Sequence, residues 1–337
     1  MRKEPPRGAV RQLAEIDVTV SIVNHQNRER ILDCLQSLKR DPERHSSVEI
    51  VVLDNASRDG SVDAMRAGHL DVRVIAQQHR AGFGANHNTI IRRTSGDYVF
   101  VLNDDTRVPP STIDVLKTFL DARPKVGIVG PRLRYENGAP MDSAWRFPTP
   151  ATCALFALTL GQVGVVQSRT NKARRVDWLG GAAFMVRRNA LEEVGFFDEA
   201  FFMYMEETDL CRRLLGAGYE AWYLPEVEVV HHGWGSTSGM DEHRINELWR
   251  SRRYYWAKHH TPAGARVALT FDWIRYSLGA NVASALAHLP RRFRPTGVDA
   301  DSRRRLRLNA RVLRKGPTGA GFRELAEEAN REMRPST

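Results

Sequence analysis

At 337 residues, with 42% hydrophobic and 27% charged side chains and a mean hydropathy of −0.43, the chain suits a soluble globular protein. That length fits one large α/β domain plus an appendage, or two modest domains. Cys34, Cys153 and Cys211 are scattered and show no CxxC spacing, which argues against a disulfide framework or a zinc site and fits a reducing compartment. The net charge of +10 is concentrated in residues 291–315, where nine Arg and one Lys face Asp299 and Asp301. The body is thus nearly neutral and no nucleic-acid partner is expected, whereas a basic tail suits an anionic membrane surface.

Residues 1–16 read as a polar, poorly ordered lead-in without the apolar core of a signal peptide. Val18–Val23 is the first predicted strand, followed by a polar loop, Asn24–Asn27, and a helix over Arg28–Lys39 with apolar residues at helical spacing. Val48–Leu53 is the second strand, ending in Asp54, Asn55, Ser57 and Asp59; a short helix and a third strand, Val72–Ala76, come next. Gly82-Phe-Gly84 opens a helix to about Arg93, residues 98–103 form the central strand, and Ser111–Ala122 is a helix with Ser111 as N-cap. Near-continuous aliphatic strands alternating with helices predict a mostly parallel sheet covered on both faces.

Beyond Gly130 the pattern changes. Residues 134–176 read as irregular, and their apolar run Ala151–Val166 falls short of the roughly 20 residues that a membrane-spanning helix needs. Trp178–Val186 is a predicted strand, Asn189–Val194 a short helix, and Tyr219–Leu224 and Val227–Val230 two further strands. A helix starts at Glu206, and from Glu242 onward the chain reads as helical, with an amphipathic helical pair over Arg266–Leu289 and a charged helix at the end.

The chemistry-bearing residues sit at strand and helix ends. Asn103-Asp104-Asp105 emerges from the carboxyl end of the central strand, the ligand edge of an open α/β sheet, and supplies the oxygen donors that Mg²⁺ or Mn²⁺ prefers; an acidic turn is the alternative. Asp54 at the second strand end can accept hydrogen bonds from an imide N–H or a ribose hydroxyl. Gly82-Phe-Gly84 lacks the third glycine of a dinucleotide fingerprint, but a close backbone approach to a ligand there, with Arg80 meeting a phosphate, fits a helix N-terminus. Glu206, Glu207 and Asp209 put three carboxylates into four residues, more than capping needs, so one can serve as general base. His231 and His232 follow a strand, where an imidazole can bind a metal or simply face solvent.

Taken in this order, the motifs resemble family 2 glycosyltransferases of the GT-A fold, in particular a bacterial rhamnosyltransferase-like branch that builds cell-surface polysaccharide. The matching strings are VSIVNHQN at 20–27, VVLDNASRDGS at 51–61, AGFGANHN at 81–88, VLNDDT at 101–106, WLGGAAFMVRR at 178–188, FFDEAFFMYMEETDLCRRL at 196–214 and VVHHGWGST at 229–237. The resemblance implies an inverting transfer of a sugar, rhamnose or a related hexose, from a nucleoside-diphosphate donor to a hydroxyl of a cell-envelope glycan or lipid-linked acceptor. It implies that Asp54 reads the nucleotide base, with Asn24, Asn55 and Asp59 around it, and that Arg80, Gly82 and Asn86 belong to the donor side. Asn103-Asp104-Asp105 would be the Asp-x-Asp-type motif, with Asp105 on the divalent metal together with His231, which matches the family's metal-binding His better than His232, and Asp104 toward the sugar or ribose. Glu207 falls where the family has an Asp base, with Asp209 and Glu206 as alternatives. Gly180, Gly181 and Trp178 would line the acceptor pocket.

The expected organisation is a GT-A domain over 17–260, with a nucleotide-binding half at about 17–130 and an acceptor half at about 131–260, followed by a basic helical extension over 261–337. A cytoplasmic enzyme, peripheral on the inner face of the plasma membrane, is expected, with no particular oligomeric state implied. Two other readings compete: a sugar nucleotidyltransferase, which would want a Gly-rich basic loop where Asn24–Asn27 stands, and a non-catalytic nucleotide- or sugar-binding module.

Overall fold

The computed structural model describes residues 16–42, 44–69, 71–159, 165–233, 239–288 and 299–333. Nearly all of the lead-in, the 234–237 end of the histidine motif, part of the 151–166 apolar run and residues 291–298 of the basic tail lie outside the described residues.

Strands β1 (Val18–Asn24), β2 (Val48–Asp54), β3 (Val72–Ala76) and β4 (Tyr98–Asn103) alternate with helices α1 (Arg28–Lys39), α2 (Ser61–Gly68) and α3 (Phe83–Ile91). Then come β5 (Thr106–Arg107), α4 (Thr112–Asp121), β6 (Val126–Arg134), β7 (Pro140–Met141), β8 (Ala144–Trp145) and α5 (Pro150–Leu158). β9 (Arg174–Val176), β10 (Trp178–Leu179), β11 (Ala183–Arg187), α6 (Arg188–Val194), α7 (Glu206–Gly216) and β12 (Glu220–His231) complete the sheet region. Four helices follow: α8 (Asp241–His259), α9 (Pro262–Leu286), α10 (Ala300–Lys315) and α11 (Phe322–Glu332).

The main sheet runs in the order β3-β2-β1-β4-β11-β6-β12-β5. β1 to β4 are parallel, β11 is antiparallel to both β4 and β6, and β12 is parallel to β6. The aliphatic runs are continuous because both faces are buried. Val18, Val20, Ile22, Phe100 and Leu102 pack on Ile31, Leu35 and Leu38 of α1, while Val99 and Val101 face Ile91 and Phe184 on the other side.

Several expectations need correction. The strand expected over Trp178–Val186 breaks at Gly180-Gly181, so β10 pairs with β8 while β11 joins the main sheet. The two strands expected over 219–230 are one, β12, whose register shift between Leu224 and Glu228 accommodates Pro225. The helical pair expected over Arg266–Leu289 is the single 25-residue helix α9. Ser111 makes no side-chain cap; it sits at φ 64°, and its N–H donates to Asp41 Oδ2 at 2.9 Å. The stretch expected to be irregular holds β7, β8, β9 and α5, the last opened by a Thr149–Thr152 capping box.

The last helices pack on one another and on α5. Trp249 of α8 is buried against Leu308, Val312 and Leu313 of α10 and donates its Nε1–H to Asn309 Oδ1 at 2.8 Å. Trp256 of α8 packs with Cys153 of α5 and Ala268 of α9. Among the described residues no helix is long and apolar enough to cross a membrane.

Candidate active site

The carboxyl ends of β1, β2 and β4 lie side by side, so residues far apart in sequence meet at one edge. Asn24 Nδ2 donates to Asp54 Oδ1 at 2.7 Å, and Asp54 Oδ2 accepts from Ser57 N at 2.9 Å. Both residues are buried, yet Asn24 Oδ1 has no partner, leaving an acceptor at the strand end for an incoming N–H or O–H. His25 donates its backbone N–H to Asp104 Oδ2 at 3.4 Å, which ties the β1 and β4 edges together. Burial and the adjacent Asp105 carboxylate push the Asp104 pKa up to about 8.

The metal-type cluster forms where β4 and β12 converge. His231 Nε2 lies 3.1 Å from Asp105 Oδ1 and 3.3 Å from Asn103 Nδ2. Burial alone would raise the Asp105 pKa, but the hydrogen bond and charge of His231 outweigh it, and the carboxyl is held below its ordinary value. Ligands at adjacent corners of an octahedral Mg²⁺ or Mn²⁺ sit about 3 Å apart, so this O/N donor set fits such a cation, especially with the Asn103 amide turned to present its oxygen. Among the described residues no three His, Cys, Asp or Glu side chains form a metal-holding group. Asp105, His231 and Asn103 would therefore need phosphate oxygens or water to complete the shell, as is usual for magnesium sites.

His232 does not join them. Its ring points to the other face, buried beside Arg30 and Asp33 with Nδ1 2.6 Å from Glu136 Oε1, because alternate residues of a strand end point to opposite faces. Its backbone N–H donates to Asp105 O at 2.9 Å, and its charge adds a small pull on Asp105.

The acidic helix start is reached through a tight turn. Tyr204 and Met205 carry φ of 70° and 71°, two consecutive side-chain-bearing residues in the left-handed region, a strain of about 1–3 kcal/mol each. The turn aims Glu207 at the cleft, where backbone N–H groups of Glu207, Gly181 and Thr208 stabilise its carboxylate. Burial prevails and raises the Glu207 pKa to about 7. Glu206 is more deeply buried; its pKa is raised well above the usual value, first by burial and then by the neighbouring Glu207 charge.

Asp209, the alternative base, is removed from the chemistry. Its side chain has no exposure and is saturated by Arg213 Nε, Lys258 Nζ and His259 Nε2, each at 2.7 Å. Asp209 stands two residues after Glu207, about 200° around the helix axis, and so faces α8 rather than Gly181.

The metal-type cluster and Glu207 are linked through one short segment that touches both. Ala182 O accepts from Asn103 N at 2.9 Å, and the N–H of the preceding Gly181 reaches Glu207. A Cβ on Gly181 would stand 3.5 Å from Phe83 and 3.8 Å from Glu207 Oε1. Gly180 abuts Trp145, whose ring stacks on Trp178 with centroids 4.5 Å apart. A cavity of about 580 Å³ bounded by Arg132, Tyr135, Met141, Trp145 and Arg169 opens beside them, with Met141 Sδ 3.4 Å from His231 Nδ1. A larger depression of about 700 Å³ between α1 and α2 lies apart from all these side chains.

Other expected donor-side residues prove to shape the loops. Asp59 accepts from Arg28 N at 2.9 Å and Ser61 N at 3.1 Å, capping two helix starts. Asn55 bonds both N–H and C=O of Ala81, and Asn86 accepts from Gln77 and donates to Ala81 O. Gly82 makes a close backbone approach to Phe202: a Cβ there would lie 2.5 Å from Phe202 O. Gly82→Ala is expected to destabilise the fold by about 1–3 kcal/mol, read as a lowered denaturation midpoint; an unchanged midpoint would refute this packing role. His25 was not singled out from sequence, although its place at a β1 carboxyl end is the signal that finds it.

Residues 19–207 match the family model for Glycosyl transferase family 2. The chain is 33% identical over 210 residues to N-acetylglucosaminyl-diphospho-decaprenol L-rhamnosyltransferase of Mycobacterium tuberculosis strain H37Rv, covering 56% of this chain and 68% of that protein. It is 25% identical over 248 residues to rhamnosyltransferase WbbL of Escherichia coli strain K12, covering 71% and 89%. Among solved structures it resembles mannosyltransferase PcManGT from Pyrobaculum calidifontis in complex with GDP-Man and Mn²⁺, at TM-score 0.59, 19% identity and coverage of 90% and 88%. It also resembles S. aureus TarS in complex with UDP-GlcNAc, at TM-score 0.55, 14% identity and coverage of 89% and 92%. These low identities bear on the fold alone, the GT-A fold. With over half its length matched by the family model, the chain belongs to glycosyl transferase family 2, on its rhamnosyltransferase-like side, and is an enzyme that transfers sugar from a nucleotide donor.

Proposed function

We propose that this enzyme is metal-dependent and inverting, and moves rhamnose or a related hexose from a nucleoside diphosphate to a hydroxyl of a lipid-linked or envelope-glycan acceptor. The observation that carries the reading is the Gly181-Ala182 segment, which joins Asn103 on one side to Glu207 on the other. Asp54 and Asn24 hold the nucleobase edge, Arg80 meets the diphosphate, and Asp104 faces the sugar or ribose. Asp105, His231 and Asn103 hold Mg²⁺ or Mn²⁺, which when bound stabilises the negative charge growing on the departing diphosphate. Glu207 takes the proton of the acceptor hydroxyl as its oxygen bonds to the anomeric carbon and the bond to the diphosphate breaks. Because the base lies across the sugar from the leaving group, the displacement inverts the anomeric carbon.

The acceptor is placed against the Trp145–Trp178 wall and the adjoining cavity. The lipid-linked class is favoured because the Mycobacterium tuberculosis relative is named for a decaprenyl-diphosphate acceptor. The experiment is a panel of nucleotide-sugars scored for metal-dependent sugar release, after titration with nucleoside diphosphates and Mn²⁺. Release from at least one donor is expected; binding without release would favour a non-catalytic module, and formation of nucleotide-sugar from sugar phosphate a nucleotidyltransferase.

A peripheral seat on the inner face of the plasma membrane accords with such an acceptor. Leu155 and Leu158 of α5 and Val267, Leu278 and Val282 of α9 are exposed, α5 packs on α9, and the Arg-rich α10 lies against α9. Flotation with anionic vesicles at low salt, lost at high salt, is expected; no binding at low salt would refute the membrane seat.

A further inference from the structure

The loop between β3 and α3 is gripped from two distant parts of the chain. Asn55, next to Asp54, bonds Ala81 through both groups: Ala81 N donates to Asn55 Oδ1 at 2.8 Å and Asn55 Nδ2 donates to Ala81 O at 3.0 Å. Asn330 of α11 does the same one residue earlier. Arg80 N donates to Asn330 Oδ1 at 2.7 Å, and Asn330 Nδ2 donates to Arg80 O at 2.9 Å, across 250 residues of sequence. A primary amide that serves the N–H and C=O of one residue together fixes that residue's backbone as a neighbouring strand would.

The Arg80 side chain follows from this fixed backbone and, among the described residues, makes no salt bridge. Its Nε is buried without a partner. Burial lowers its pKa, and the charge of Arg58 does so further, while Glu332, at the end of α11, pulls the other way. Arg80 and Arg58 thus feel each other's charge, and His25, which also feels Asp54, feels that of Arg80, a setting where an anion would be welcome. The helix that supplies Asn330 is itself fastened to the far side of the cleft. Arg323 NH2 donates to Ala200 O at 2.6 Å, and Phe322 packs on Tyr204 in the turn before Glu207, with ring centroids 6.4 Å apart.

We propose that Asn330 is a positioning residue of the donor site, holding Arg80 where its guanidinium meets the diphosphate of the nucleotide donor. α11 is thereby a structural part of that site. This rests on reading the cleft as a nucleotide-sugar site, and it acts by preorganisation: a loop already held in its bound shape loses less freedom when the ligand arrives.

The test uses the full chain and titrates dTDP, UDP and GDP in the presence of Mn²⁺, then measures donor and acceptor KM and kcat. Asn330→Ala is expected to weaken nucleoside diphosphate binding and raise donor KM by about tenfold, with kcat and acceptor KM within about twofold. Arg80→Ala weakens binding more, and adding Asn330→Ala to it costs no further affinity, because both act through one guanidinium. Asn330→Asp keeps the acceptor for Arg80 N–H but sets an oxygen against the Arg80 carbonyl, so it too weakens binding and decides the matter if the alanine variant does not fold. Unchanged donor affinity in the folded Asn330 variants, or fully additive losses in the double variant, overturns the proposal while leaving the nucleotide-sugar reading intact. A wild-type protein that binds none of the three nucleotides overturns both.

Discussion

Exchanging Glu207 for Gln is expected to lower sugar transfer by about 10²–10⁴-fold while nucleoside diphosphate binding stays within about twofold of the parent. Gln keeps the shape and the bonds from the Gly181 and Thr208 N–H groups but cannot take a proton. The same residue sets the acid limb of the pH profile. As a base it must be ionised, and its pKa is raised by burial to about 7, so kcat should climb as pH rises through that value and level off above it. The surrounding groups reinforce the direction: Glu206 on the same helix, Glu247 of α8 near Glu206 and the buried Cys211 offer no cation to pull the pKa back down. In Glu207→Gln the residual rate should lose that limb. Single-turnover rates across pH 5–9 provide the check; near-normal turnover, or an unchanged acid limb, would remove Glu207 from the mechanism.

Asp105→Asn is the second large effect. A neutral amide cannot balance a divalent cation as a carboxylate does, and it loses the charge that His231 now stabilises. Transfer is expected to fall by on the order of 10²–10³-fold, and Mn²⁺ should no longer strengthen nucleoside diphosphate binding. His232→Ala should leave both within about twofold, since that ring faces Glu136. Titration of nucleotide with and without Mn²⁺ separates the two variants. Equal losses from Asp105→Asn and His232→Ala would place the cation elsewhere.

What could be read from the residues alone divides by the range of the forces involved. The helix at 28–39 and the strands at 72–76 and 98–103 have the expected bounds because local periodicity and two-sided burial dictate them. Insertion of β11 between β4 and β6 depends on pairings between residues far apart in sequence, which no local pattern records. The site behaves alike. Asp105 and His231 were found from the residue types that end strands. The exclusion of Asp209 had no local sign, because Lys258 and His259 approach it from α8, about 50 residues on. His231 and His232 are neighbours in sequence, and only the direction of the strand end decides which faces Asp105. Asn330 carried no motif at all.

The Asp209 hub also fixes where the protein can be cut. A version ending ahead of Lys258 would leave the buried Asp209 carboxylate with Arg213 as its remaining partner, and removing partners of a buried ion pair costs up to about 3–5 kcal/mol, a large part of a typical domain's stability. Minimal catalytic fragments therefore need their C-terminal boundary beyond residue 259, well past the last strand of the sheet at His231.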